Sequence, residues 1–200
     1  MGISAELLRG NLPVPFLREQ GAAIGLTVSG LNHVAHQMSD PVKKSFRQQM
    51  RAKGIKPGER FGYTQADHNN VIGAVEELND LYSSVSSKIG EIVYHEGGGV
   101  NEQGQEGSAA VQMQQNGKYS LHVSQTRVIT NLDYAYNLGH EMYHIFDNGN
   151  MTYTQWINQT KRQLYESEIR TYKNFDLINN IPGAMNRINY YQGLLNNLPK

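Results

Sequence analysis

The change in apolar periodicity along the chain is the feature that most constrains its fold. Apolar residues recur at helical spacing in four segments, which are residues 67–89, 132–147, 154–178 and 183–198. Three shorter segments have the compact or alternating apolar pattern of β-strands, namely residues 91–95, 108–114 and 118–125. Because the strands are grouped ahead of a run of helices, this order predicts an α+β fold with a small, mostly antiparallel sheet.

Turn and cap residues mark the ends of several segments. Asp67 is suited to cap the first helix and Gly90 to end it, so residues 67–89 are expected to form one helix of about six turns. The dipeptide Asn116-Gly117 separates the second and third strands and is the strongest short hairpin signal. These two strands are therefore expected to pair antiparallel.

The first third of the chain differs from the rest, since proline and glycine interrupt it often. Short helices are expected around residues 28–38 and 40–53. We accordingly divide the chain into an N-terminal segment without a clear structural pattern, residues 1–66, and a folded domain, residues 67–200. The N-terminal segment is interpreted as a linker or a docking region.

Composition excludes several classes of protein. The chain has 18 basic and 18 acidic residues, a balance that argues against nucleic acid as a partner. No run approaches the roughly 18 consecutive apolar residues of a transmembrane helix, and no general secretory signal peptide is visible, so a soluble protein without a membrane span is expected. The chain contains no cysteine, which excludes disulfides, a thiol nucleophile and thiolate metal ligands.

One short motif carries recognisable chemistry. Residues 140–144 read HEMYH, which matches H-E-x-x-H, and they lie inside the helix predicted at 132–147. Residues four apart share one face of a helix, so His140 and His144 can both bind one metal ion, at about 2.0–2.1 Å. Glu141 lies beside them and can act as a general base on an attacking water.

The alternative interpretation of this motif is a buried structural histidine pair. The apolar stripe of the same helix consists of Ala135, Leu138, Met142 and Ile145, and it lies on a different face from the two histidines. Separate apolar and histidine faces favour a metal site, because a structural pair would be expected within the apolar stripe.

A catalytic zinc site needs a third protein ligand and an open fourth position. The chain has no cysteine and no histidine after the motif, so the ligand must be a carboxylate or an upstream histidine such as His95 or His122. The helix predicted at 154–178 offers Glu166 and Glu168, and only one can face the metal because residues two apart point about 200° apart. Glu168 adjoins the apolar stripe of that helix and Glu166 adjoins its polar side, which favours Glu168.

These residues together resemble a zincin of the gluzincin type, in which a backing helix and a small sheet precede an H-E-x-x-H helix and C-terminal helices, the first of which supplies a glutamate. The resemblance covers residues 67–178. In that group the ligand glutamate is often followed three positions later by a small residue, and Glu168 is followed by Thr171. The segment 168–172 also resembles the E-x-E-A-Y segment of short bacterial zincins, with Arg170 in place of the second glutamate.

The resemblance implies a zinc-dependent endopeptidase in which His140, His144 and Glu168 bind Zn²⁺ and Glu141 is the general base. Its partner would be a protein or peptide substrate. Compact bacterial zincins of this kind resemble effector and toxin metallopeptidases exported by specialised secretion systems, which adds a secretion apparatus and a cognate inhibitor as candidate partners. Two alternatives stay open: a zincin-like metal-binding or regulatory domain without turnover, and an amidase acting on cell-wall peptides.

Several residues are candidates for supporting roles at such a site. Tyr153, Tyr165 and Tyr172 are candidates for stabilising an oxyanion. Asp147 and Asp176 are candidates for orienting the ligand histidines from behind.

Two other segments are candidates for contact with substrate. The strand at 118–125 precedes the active-site helix and is in the right chain position to bind substrate as an added strand, with His122 facing either the cleft or solvent. The glycine-rich stretch 97–107 is interpreted as a mobile flap or as a plain hairpin connection.

Overall fold

The computed structural model describes residues 46–96 and 107–199. Across these residues the fold is α+β, with seven α-helices and one three-stranded mixed sheet. The elements are α1 (Phe46–Ala52), α2 (Gln65–Ala74), α3 (Glu76–Val85), β1 (Ile89–His95), β2 (Ala109–Met113), β3 (Tyr119–Ser124), α4 (Asn131–Asn148), α5 (Tyr153–Ile157), α6 (Lys161–Thr171) and α7 (Ala184–Asn196). A 3₁₀ turn, Ser86–Lys88, follows α3, and a π-helical turn, Tyr172–Asp176, extends α6.

The sheet has the strand order β1-β3-β2. β2 and β3 form the predicted antiparallel hairpin, and Gly117 adopts φ +77° at its turn. β1 runs parallel to β3 on the other side, with Ile92 opposite Leu121. The sheet is therefore mixed, and the prediction of a mostly antiparallel sheet is wrong, because the sequence signals the tight turn but not the side on which β1 adds.

The helix predicted over residues 67–89 is two helices, α2 and α3. The break falls at Val75, which is fully buried in an extended conformation (φ −122°, ψ 114°). At this break, the backbone N–H of Glu76 donates a hydrogen bond to the side-chain oxygen of Gln49 in α1 (2.7 Å). Thr64, rather than Asp67, caps α2, and Asp67 completes its capping box.

The end of this helical region also differs from the prediction. α3 ends at Val85, five residues before Gly90, and Ser86–Lys88 forms the 3₁₀ turn. Gly90 lies inside β1 instead. The strand itself agrees with the prediction at 91–95 and begins two residues earlier.

The long helix predicted at 154–178 is also interrupted. α5 ends at Ile157, and α6 starts afresh after Thr160, whose side chain accepts a hydrogen bond from the backbone of Gln163. After Thr171 the backbone widens into the π-helical turn. A threonine with glutamine three residues later is a capping box, so this break has a local cause in the sequence.

The last helix, α7, agrees with the prediction for residues 183–198 and packs against α6 and the π-helical turn. Ile188 and Tyr191 are buried as expected. Met185 was expected in the same stripe but is 52% exposed, and Ala184 takes the buried position next to it.

The apolar residues between Phe46 and Phe61 belong to the main core, which they share with α3, the sheet and α4. Phe46, Met50 and Phe61 are fully buried and pack in the same cluster as the apolar residues of α3 and α4. α1 coincides with the later part of the helix predicted at 40–53. The helix predicted at 28–38 lies outside the described residues, as does the rest of 1–45.

α4 lies at the centre of the molecule. Its N-terminus is capped by Thr130, and its predicted apolar stripe, Ala135, Leu138, Met142 and Ile145, is buried. These residues pack towards the sheet and α3, so the opposite face of α4 is left to meet α6 and the π-helical turn. No helix within the described ranges has the length and apolar character needed to cross a membrane.

Candidate metal centre

The two histidines of the motif lie on the face of α4 that meets α6. The His144 side chain is completely buried, and that of His140 is 12% exposed. Their Nε2 atoms lie 3.2 Å apart. Both imidazoles therefore point at the same small volume, as the spacing of four residues predicts.

Glu168 enters the same volume from α6. Its Oε2 lies 3.6 Å from Nε2 of His140, and its Oε1 lies 3.5 Å from Nε2 of His144. Glu168 is 2% exposed, and neither of its carboxylate oxygens has a hydrogen-bond partner. A buried carboxylate without a hydrogen bond is unfavourable unless a cation, either a protonated histidine or a metal ion, compensates its charge.

The three side chains have the spacing of a metal site. Ligand atoms that each lie about 2.0–2.1 Å from a tetrahedral ion are separated by about 3.3–3.4 Å. The two Nε2 atoms, 3.2 Å apart, match that value, and each lies 3.5–3.6 Å from a different oxygen of Glu168, so that one ligand atom per residue can be chosen with all three within 4.8 Å of one another. His140, His144 and Glu168 form the one group of three such ligands that the described residues contain, and their chemistry fits Zn²⁺.

The charges of the site favour a bound cation. Burial opposes ionisation of Glu168, but His144 and His140 lower the pKa of its carboxyl group to about 2. Burial also lowers the pKa of His140, but the Asp176 carboxylate, with Tyr172 and Glu168, raises it well above the ordinary value. Because a metal ion binds the neutral imidazole, it competes with a proton for Nε2 of His140.

The outer ring nitrogens of both histidines are held by neighbouring side chains. Nδ1 of His140 lies 2.8 Å from a carboxylate oxygen of Asp176 in the π-helical turn. Nδ1 of His144 lies 3.1 Å from the hydroxyl of Thr171. Because the Nδ1–H of His140 can donate to the carboxylate, the Nε2 lone pair is directed at the metal position.

Of the two aspartates considered as supporting residues, only Asp176 contacts a ligand histidine. Asp147 accepts hydrogen bonds from Arg170 and from the Ser167 hydroxyl (3.2 Å). Ser167 in turn lies 3.4 Å from Nδ1 of His144, so Asp147 reaches the site through another side chain.

Glu141 lies beside the metal group without belonging to it. It follows His140 on α4 and is 6% exposed. The metal group consists of His140, His144 and Glu168, so Glu141 is not among the candidate ligands.

The other candidate ligands lie elsewhere. Glu166 is half-buried on α6 and outside the metal group. His95 and His122 contact each other on the sheet, with ring nitrogens 2.8 Å apart and rings stacked at 5.1 Å. They form a separate pair rather than a third ligand.

Of the three tyrosines considered as oxyanion donors, Tyr172 lies closest to the ligands. Its ring centroid is 4.8 Å from that of His140. Tyr165 packs against Tyr191 instead, and Tyr153 packs against the main core.

The prediction that residues 118–125 bind substrate as a neighbouring strand is wrong, because of the order of the strands in the sheet. β3 is the central strand and is paired on both sides, so it cannot accept an added strand. Within the described sheet, β2 and β1 are the edges. The predicted flap, residues 97–107, lies outside the described residues except for Gly107.

Sequence reasoning missed the hydrogen bonds that fix His144. Thr171 was recognised only as a small residue, and Ser167 was not recognised. Both contact Nδ1 of His144. The available signal is their spacing: Ser167 and Thr171 are four residues apart and flank Glu168 on one face of α6.

Comparison with known proteins gives no relative from which a role could be transferred. No protein-family model matches the chain, and neither a curated protein nor a solved structure is significantly similar to it. The chemistry of the site therefore has to be argued from its own residues.

Proposed function

We propose that this chain is a zinc-dependent peptidase of the zincin type. The observation that carries the proposal is the group formed by His140, His144 and Glu168, whose ligand atoms converge within 4.8 Å of one another, with the two Nε2 atoms 3.2 Å apart. A glutamate suited to be a general base, Glu141, follows the first ligand on the same helix.

The reaction that fits these residues is hydrolysis of a peptide bond. Zn²⁺, when bound, supplies Lewis acidity that lowers the pKa of water towards about 7 and polarises a carbonyl group. Glu141 accepts a proton from the attacking water as its oxygen bonds to the carbonyl carbon. Glu141 then delivers that proton to the amine as the carbon–nitrogen bond breaks.

The residues around the ligands have positioning roles in this proposal. Asp176 and Thr171 hold the rings of His140 and His144, so that both Nε2 atoms stay directed at the metal. Tyr172 covers the His140 ring and is the tyrosine best placed to donate a hydrogen bond to a developing oxyanion.

The proposal extends to the biological setting that the zincin resemblance implies. The substrate is a protein or peptide. Export by a specialised bacterial secretion system, with a cognate inhibitor as a partner, belongs to the same proposal and depends on the resemblance alone.

Hydrolysis of denatured casein tests the proposal. Zinc-loaded wild-type protein should produce new amino termini, a chelator should stop the reaction, and added zinc should restore it. Glu141→Gln should bind zinc normally but lose activity by about 10²–10⁴-fold, the range expected for a general base.

Glu166→Gln is the matched control, because it makes the same chemical change outside the metal group and should retain activity. Zinc binding without hydrolysis of casein would favour a metal-binding domain or a different amide substrate. Near-normal turnover by Glu141→Gln would contradict the proposed mechanism.

A further inference from the structure

Helix α7 packs a phenol against Tyr172, the neighbour of His140, and carries a cation one turn away on the same face. Arg187 and Tyr191 are four residues apart and share one face of α7. The Tyr191 ring stacks on that of Tyr172 with centroids 6.1 Å apart, and Tyr172 lies 4.8 Å from the ring of His140. A continuous row of side chains therefore joins α7 to a metal ligand.

Two polar atoms on this face of α7 are buried without a hydrogen bond. They are Nη1 of Arg187 and the hydroxyl oxygen of Tyr191, and Tyr191 as a whole is only 3% exposed. None of the carboxylates in the described part of the chain forms an ion pair with Arg187. Buried donors of this kind are unfavourable without an acceptor, and a guanidinium is best satisfied by an anion.

The charges of Arg187 and of the metal ligand Glu168 act on the same two phenols. Burial raises the pKa of Tyr172 to about 12 and that of Tyr191 well above its ordinary value. Glu168 raises the pKa of both hydroxyls further, and Arg187 lowers the pKa of both. Arg187 therefore lies within electrostatic reach of the groups that surround Glu168.

We propose that Arg187 and the Tyr191 hydroxyl bind a carboxylate of the substrate next to the scissile bond. This inference rests on the proposed peptidase function and names its substrate class: peptides with an acidic group near the cleaved bond. The guanidinium offers parallel N–H donors to the two carboxylate oxygens, and the phenol supplies a further donor. The carboxylate belongs either to an aspartate or glutamate side chain or to the free C-terminus of the peptide.

Calorimetric titration of the full chain with three small probes tests this site. The probes are N-acetyl-glutamate N-methylamide, which has a side-chain carboxylate, N-acetylalanine, which has a C-terminal carboxylate, and the neutral N-acetyl-glutamine N-methylamide. One of the two carboxylates should bind about tenfold more tightly than the neutral probe, and which one does so identifies the source. Arg187, rather than the metal, is the anchor, so the preference should persist in zinc-free protein.

Two substitutions make the test specific to Arg187. Arg187→Gln should abolish the preference for a carboxylate, and Arg187→Lys should lose part of it because the planar fork of donors is removed. Lys173→Gln is the matched control, since it removes one positive charge from an exposed position in the π-helical turn and should leave the preference intact.

The outcomes separate this inference from the peptidase proposal. Equal affinity for all three probes, or an unchanged preference in Arg187→Gln, would overturn the carboxylate site even if the protein hydrolyses casein. An Arg187-dependent preference in a protein that hydrolyses no casein would support the carboxylate site and count against peptide hydrolysis.

Discussion

At the scale of single residues, two glutamates two positions apart on α6 have opposite environments. Glu168 is 2% exposed with both oxygens lacking hydrogen bonds, whereas Glu166 is half-buried and outside the metal group. Helical geometry predicts this separation from the sequence, because only one of the two can lie beside the apolar stripe. The sequence offered Asp147 and Asp176 for orienting the histidines, but the choice of Asp176 and the contact of Thr171 with His144 depend on packing between helices and could not be predicted.

The first prediction compares these two glutamates. Glu168→Ala should lower zinc affinity by more than about 100-fold, since it removes a ligand rather than a residue that supports one. Glu166→Ala should change the affinity little. Competitive titration with a zinc-binding dye measures both, and the reverse order of effects would transfer the ligand role to Glu166.

The second prediction concerns a buried histidine outside the metal group. His68 is 1% exposed, its Nδ1 lies 2.7 Å from the Tyr134 hydroxyl, and burial lowers its pKa below the ordinary 6.5. The unfolded chain therefore binds a proton below about pH 6.5 that the folded chain resists, so stability should fall as the pH falls through that value.

Urea unfolding of zinc-free protein at pH 7.5 and pH 5.5 measures this effect. His68→Gln should lose less stability between the two pH values than the wild type, because the titrating group is gone. An equal loss in both proteins would show that His68 does not contribute to the pH dependence.

At the scale of elements, the local signals in the sequence predicted α4 and the β2–β3 hairpin correctly. The division of 67–89 was missed because its cause is non-local: the Gln49 side chain from α1 bonds the backbone of Glu76 at the break. The interruption before α6 has a local cause, the Thr160 capping box, which the apolar periodicity of residues 154–178 obscured.

The third prediction concerns the close packing of α4 against Phe175 and α3 at Gly139. A Cβ on Gly139, next to His140, would overlap the Phe175 ring and lie 2.9 Å from Cδ1 of Leu78 in α3. Gly139→Ala should therefore destabilise the fold by about 1–3 kcal/mol, measured by urea unfolding.

Gly73 is the matched control for this substitution. It lies inside α2, and a Cβ there would have no neighbour within 4 Å. Gly73→Ala should be neutral or stabilising by up to about 1 kcal/mol, because alanine favours the helix. Similar destabilisation by both substitutions would contradict the close approach of Phe175 to α4.

At the scale of the whole molecule, the candidate metal centre joins α4 to α6 and to the π-helical turn that extends α6. α4 supplies two candidate ligands, α6 supplies the third, and the π-helical turn supplies Asp176. The spacing of residues 140–144 predicted that His140 and His144 face one volume, and the apolar stripe of α6 favoured Glu168 over Glu166 as the residue that joins them. The position of α7 beside this centre could not be inferred, because no local pattern relates Arg187 to the motif.

The fourth prediction follows from this arrangement. Zinc should stabilise the folded state, by about 2.7 kcal/mol when free zinc is 100-fold above its Kd, since the unfolded chain lacks the assembled site. Thermal unfolding with and without zinc measures the shift in Tm. The shift should disappear in Glu168→Ala. A wild-type Tm that does not change when zinc is added would count against a site that links α4 to α6.

The most direct test of the central claim is a crystal structure of the zinc-loaded protein with an anomalous difference map recorded at the zinc edge. The account predicts one strong peak per chain, about 2.0–2.2 Å from Nε2 of His140, Nε2 of His144 and one carboxylate oxygen of Glu168, with no protein side chain in the fourth position. A peak elsewhere, no peak at this group, or a fourth protein ligand that closes the site would contradict it.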